Sequence, residues 1–123
     1  MKKKNPFRIN LSDSTASREE QLHSFAILNL GLVQSLSSGV VSAEEALRIF
    51  YNAENCLYVK KKLRNREANE VMSRGVQLAD LFEMLPVEKA SREFFHELEA
   101  IRSLCLRLLE RQRSSPPTEQ TAV

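Results

Sequence analysis

The chain has 123 residues, 42% hydrophobic and 28% charged, with 18 basic residues against 16 acidic ones for a formal charge of +2. That length suits a single domain that buries a core without a disulfide or metal to staple it. So small a positive excess does not by itself point to nucleic acid, and no apolar run approaches the ~18 residues of a membrane span.

Residues 1–6 form a basic tail. No apolar stretch of a signal peptide follows it, because Arg8, Asn10, Ser12 and Asp13 interrupt. Phe7, Ile9 and Leu11 alternate with polar residues, which predicts a short extended segment lying over helices. Ser17-Arg18-Glu19-Glu20 reads as a capping box that starts a helix over about 18–38. Within it Phe25 to Leu36 is the most apolar stretch of the chain, so this is the expected central, buried helix. Asn29 is the polar insertion on its main face and reads as a buried amide that bonds a carbonyl or water. Gly39 stands where a left-handed residue would end the helix.

A second capping box, Ser42-Ala43-Glu44-Glu45, opens a short helix to about Tyr51. After a break over 52–55, another short helix is expected from Cys56 to Leu63, with Asn65 as punctuation. The next helix runs from about Arg66 to Leu85. Val71, Met72, Gly75, Leu78, Leu81 and Phe82 share its apolar arc, and Gly75 there predicts close approach of another helix. Pro86 separates it from a last helix over about 87–112. Its stripe is Phe94, Leu98, Ile101, Cys105 and Leu108, widened by Phe95, Leu104, Leu106 and Leu109. Residues 114–123 carry Pro116 and Pro117 and are expected to be a disordered tail.

The expected fold is therefore all-α: a compact bundle of four main helices plus one short helix around a central buried helix. Residues 1–16 form a tail and extended segment, 17–113 the helical domain, and 114–123 a tail. No internal repeat is visible.

Few patterns carry chemistry. Cys56 and Cys105 have neither a CxxC neighbour nor metal spacing, and read as reduced, half-buried thiols of a cytoplasmic protein. The chain has no GxSxG motif, no phosphate loop and only three glycines. Glu-x-x-His occurs at Glu20/His23 and at Glu93/His96, the spacing used by di-iron bundles. With Phe94 at zero and ~100° per residue, the apolar stripe centres near ~20°, whereas His96 falls near ~200° and Glu93 near ~260°. His96 thus points away from the core, and Glu20 is already used as a cap, so no metal or cofactor is expected. The run Lys60, Lys61, Lys62, Arg64 and Arg66 is the first candidate surface for a partner. Asp80 and Glu83 near the Leu85-Pro86 corner are the second.

Two stretches resemble an uncharacterised family of small all-helical bacterial proteins. One is Gly31-Leu32-Val33-Gln34-Ser35-Leu36, running on through Gly39-Val40-Val41-Ser42 to Glu45-Ala46. The other is Gly75-Val76-Gln77-Leu78-Ala79-Asp80-Leu81, closing at Leu85-Pro86. The resemblance covers roughly 7–110, implies the helical fold, and brings no activity or site residues. The basic start and the Pro-ended tail look peculiar to this chain.

The expected function is that of a non-enzymatic, cytoplasmic protein-interaction domain of the inhibitor, immunity or adaptor type, with an unidentified protein partner. The alternatives are weak nucleic-acid binding through 60–66 and a metal-binding bundle built on the Glu-x-x-His pairs. The last helix could also pair with its copy in a homodimer, with Leu104 and Leu106 as the residues to test.

Overall fold

The computed structural model describes residues 7–114. They form five α-helices: α1 (Arg18–Ser37), α2 (Ala43–Ile49), α3 (Ala53–Tyr58), α4 (Arg66–Met84) and α5 (Val87–Ser114). A 3-10 turn (Leu11–Asp13) precedes α1, and a π-helical turn (Val59–Leu63) extends α3. The tails expected over 1–6 and beyond Ser114 lie outside the described residues.

The local signals act where their chemistry places them. Ser17 Oγ accepts from Glu20 N at 3.1 Å while Glu20 Oε1 accepts from Ser17 N at 3.2 Å. Ser42 and Glu45 repeat that box at 3.0 and 2.9 Å. Each box satisfies two amides that a helix start would otherwise leave without partners. Gly39 takes φ +82° after the α1 C-cap, a conformation a Cβ would penalise. The middle of the chain departs from expectation. The third helix begins at Ala53, not Cys56, because Asn52 is its N-cap and accepts from Asn55 N at 3.0 Å. The expected end at Leu63 is right, but the last five residues are wound as a π turn closed by Arg64 in the left-handed region.

The helices make an up-down bundle of four legs, with α2, α3 and the π turn together forming the second leg. At one end, Gln112 Nε2 donates to Glu19 O at 3.0 Å, Arg111 pairs with Glu67 at 2.9 Å, and Arg18 Nε donates to Leu63 O at 2.7 Å. The start of α1, the end of the second leg, the start of α4 and the end of α5 therefore meet there. At the other end lie Leu36, the turn with Gly39, Val41 and Ser42, the start of α2, Phe82 and Phe94. Around the bundle α5 packs on both α1 and α4, and α4 on the second leg. The core contains Phe25, Leu36, Phe50, Val71, Leu78, Leu98, Ile101 and Leu108. The expected extended segment lies over the second leg: Ile9 N donates to Ile49 O at 3.0 Å, and Asn55 Nδ2 donates to Ile9 O at 2.6 Å.

Midway along the bundle sits Tyr51, fully buried at the α2–α3 junction. Its hydroxyl donates to Asn29 Oδ1 at 2.6 Å, and Asn29 Nδ2 donates to Phe25 O at 2.9 Å. The expected close approach at Gly75 comes from this ring and not from another helix backbone. A Cβ at Gly75 would stand within 2.6 Å of Tyr51 Cγ.

Gly75→Ala should therefore destabilise the fold by about 1–3 kcal/mol through overpacking, although alanine is the better helix former. With Tyr51→Leu present, the same change should cost little or stabilise. Urea unfolding of the four-member cycle checks this, and additive effects would refute the packing account. Burial also holds the Tyr51 hydroxyl neutral well above its ordinary value of 10.0. The unfolded chain then loses that proton first. The contribution is intact below about pH 10 and is lost as the pH rises beyond it. Urea midpoints should fall on that alkaline limb, and less steeply in Tyr51→Phe.

Candidate functional site

The sequence-derived candidates occupy opposite ends of the bundle. Lys60, Lys61 and Lys62 are exposed on the π turn, and Arg64 and Arg66 are exposed beside it. Arg18 lies against them, with Nη2 donating to Arg64 O at 3.3 Å. None of Lys60, Lys61, Lys62, Arg64 and Arg66 makes an ion pair among the described residues. Asp80 and Glu83 are exposed near the end of α4, toward the other end, also without ion pairs. The two candidate patches are thus separate surfaces of opposite charge.

The Glu-x-x-His pairs stay apart. Glu20 and His23 lie near the start of α1 and Glu93 and His96 near the start of α5, at opposite ends of the bundle, with both histidines exposed. No group of three or more His, Cys, Asp or Glu side chains able to hold an ion forms among the described residues.

The thiols differ from the expectation in one respect. Cys56 is half-buried and burial raises its pKa, while Cys105 is fully buried and its thiol is pushed up to about 12. Buried Glu67, paired with Arg111, is a polar core residue that nothing in its local pattern distinguishes from an exposed α4 glutamate. Arg74 bridges Glu70 at 3.0 Å and Glu97 at 2.7 Å, joining α4 to α5.

At the α4–α5 corner, where sequence reasoning found only the acidic candidates Asp80 and Glu83, it missed an apolar surface. Phe82 meets Phe94 edge-on at 5.4 Å between ring centroids, and Phe94 meets Phe95 at 5.4 Å. Phe94 is buried but Phe82 and Phe95 are exposed, although both fall within the apolar arcs read from the sequence. Val40 (74% exposed), Met84 (75%) and Val87 (73%) stand out at the same end. Beside them opens a cavity of about 400 Å³ lined by Leu36, Gly39, Val41, Ser42, Ala43, Glu44, Ala79, Phe82 and Phe94. All four legs contribute to it. A second hollow of about 590 Å³ follows the seam between α2, α3 and α4, lined by Leu47, Arg48, Tyr51, Asn52, Ala53, Cys56 and Val76, and shares Glu44 with the first.

On α5 the two residues named for a dimer contact separate. Leu104 is 6% exposed and belongs to the core, whereas Leu106 is 41% exposed. Only Leu106 can report on pairing, because Leu104→Glu would disrupt the fold of a monomer as well. Among the described residues no helix is long and apolar enough to cross a membrane.

An up-down helical bundle with an apolar, aromatic-edged open end is the class of protein that these features define. The chain belongs to the family described as "Protein of unknown function (DUF3969)", whose model matches residues 17–122. The family match bears out an uncharacterised family, though not its bacterial origin, and shifts its bounds. Most of the Pro-ended tail falls inside it, and the segment before Ser17 falls outside. No curated protein and no solved structure matches the chain.

Burial and raised pKa together predict slow thiol chemistry. At pH 7.5–8, within about a unit of an ordinary thiol's pKa, Cys56 should react with a maleimide several-fold slower than a model thiol, and Cys105 only when the chain unfolds. The rate at Cys56 should rise with pH. Mass spectrometry of single-cysteine variants reads both, and rapid labelling of Cys105 in the folded chain would contradict its burial.

Proposed function

We propose that this chain is a non-enzymatic protein-interaction domain, of the inhibitor, immunity or adaptor type, working in the cytoplasm. One observation carries the reading. Val40, Phe82, Met84, Val87 and Phe95 are left exposed around an open cavity at one end of the bundle. Apolar groups gathered in this way mark contact surfaces more often than a scattered exposed residue does. Large aromatic side chains also supply most of the binding energy where they are anchors. The acidic candidates Asp80 and Glu83 are exposed and directly follow the cavity-lining Ala79 and Phe82 in sequence, which favours a shared surface.

The basic patch supports a second reading, with a polyanion bound at the other end through Lys60, Lys61, Lys62, Arg64 and Arg66. Among the described residues these cations stand without carboxylate partners, the three lysines on a π turn and the two arginines just beyond it. Such turns recur at functional sites. Binding of that kind would weaken steeply with salt and vanish in a Lys60/Lys61/Lys62→Glu variant.

The test of the first reading uses a photo-crosslinking residue at Met84 or Val87 in the native cell, followed by identification of the adduct. The identified partner, purified, should bind the wild-type chain and lose at least about tenfold in affinity toward Met84→Lys/Val87→Lys, whose melting temperature should stay within about 2 °C of wild type because both sites are surface positions. Equal binding by that variant would refute the reading.

A further inference from the structure

We infer that the open end receives a short amphipathic segment of a partner protein, one that presents an apolar anchor flanked by lysine or arginine. The inference rests on the interaction reading above and assigns the chemistry of its partner. The cavity wall is apolar at Leu36, Val41, Ala79, Phe82 and Phe94, and its carboxylate is Glu44. Ala79 is small, which leaves depth for an inserted side chain. The second hollow continues from Glu44 along the α2–α4 seam past Leu47 and Val76, so the surface is a trough and not a single hole. A trough with apolar walls fits successive anchors of one segment better than a small polar metabolite.

The sign of the charge comes from the rim. Glu45 is held in its capping box, but Glu44, Asp80, Glu83 and Glu88 make no ion pair among the described residues. Cations are near as well. Arg48 lines the second hollow, and Lys89 and Arg92 are exposed on α5. Counted at ~100° per residue, Lys89 and Arg92 lie ~140–160° round the helix from Phe94 and Glu88 ~120°, so α5 adds little net charge to the cavity and the acidic sign comes from Glu44, Asp80 and Glu83. The cations of the π turn are at the far end of the bundle. A basic segment is thus attracted to the open end and repelled from the opposite one, which fixes both site and orientation. A second copy fits less well. Open end against open end would set Glu44, Asp80, Glu83 and Glu88 against their own images, and like charges brought together at an interface are costly.

The probe is a fluorescein-labelled leucine/lysine amphipathic peptide of roughly 16 residues, about four helical turns. Its control is the same peptide with every lysine replaced by glutamate. Anisotropy titrations use the full chain. Saturable binding of the lysine peptide is expected, weaker at high salt. It should fall at least about tenfold in Glu44→Gln/Glu83→Gln, a surface pair that keeps the fold, and again in Ala79→Arg, which fills the trough. Binding of the glutamate peptide with equal affinity, or undiminished binding by both variants, overturns the inference. So does a wild-type dimer seen by light scattering and lost in Val87→Lys, which would give the surface to a second copy. A crosslinked partner that contacts Met84 and Val87 through an acidic segment would overturn the charge assignment and leave the interaction reading standing.

Discussion

The fold depends on accommodating one phenol at its centre. A tyrosine hydroxyl buried without a partner costs on the order of 1–3 kcal/mol, so Tyr51 can sit there only because Asn29 Oδ1 accepts its hydrogen bond at 2.6 Å. The ring itself needs room, and Gly75 supplies it by having no side chain. Asn29 is on α1, Gly75 on α4, and Tyr51 between α2 and α3, so three of the four legs are set in register by one side chain. A slip of either long helix by one residue would strand the hydroxyl or drive a side chain into the ring. Phe50, edge-on to Tyr51 at 5.4 Å and tilted on Phe25 at 5.9 Å, extends the same contact toward the apolar core.

Placing that ring inward is why the second leg is broken. Phe50 N and Tyr51 N both donate to Ala46 O, each at 2.9 Å, which ends α2, and Asn52 restarts the helix at once. A leg built in pieces cannot cover its neighbours as a continuous helix would. One side of the break is closed by the chain itself. Asn55 Nδ2 donates to Ile9 O at 2.6 Å and to Phe50 O at 3.0 Å, and Asn55 Oδ1 accepts from Leu11 N at 3.0 Å, tying the N-terminal segment across it. The side facing α4 has no such cover, and there the trough opens. The hollow along this seam thus has a structural cause in the central packing solution, one that does not depend on any ligand.

Most helix starts and stops were legible because they depend on neighbours in sequence, the exception being the start of α3, whose Asn52 cap was read as a break. The boxes at Ser17 and Ser42 and the left-handed Gly39 needed no tertiary information. Asn29 was legible as a buried amide, since a polar residue set in an apolar face is carried into the core with that face. Its partner Tyr51 was not legible, because the distance between them is set by how the second leg folds back. Gly75 announced a close approach without saying to what. The open end was the least legible part. Phe82 and Phe95 lie in arcs that periodicity assigns to the core. They stay exposed all the same, and that is a property of the assembled bundle. Glu67 is the converse case, a charge whose burial follows from Arg111 reaching it from another helix.

The overall charge of +2 conceals how charge is arranged. On the flanks of the bundle it is neutralised locally, with Arg74 between Glu70 and Glu97 and Arg102 beside Glu99 at 3.3 Å. Exposed pairs of this kind contribute little to stability, but they remove long-range field from the sides. Among the described residues without an ion pair, Lys60, Lys61, Lys62, Arg64 and Arg66 gather at one end and Glu44, Asp80, Glu83 and Glu88 at the other, where Arg48, Lys89 and Arg92 offset them in part. Stability does not require this sorting, since interleaved signs would lower self-repulsion at both ends. Orientation of an incoming partner does benefit from it, because the field along the bundle axis acts before any contact forms. The apolar side chains gathered at the α4–α5 corner, Val40, Phe82, Met84, Val87 and Phe95, then provide the short-range attraction at the acidic end.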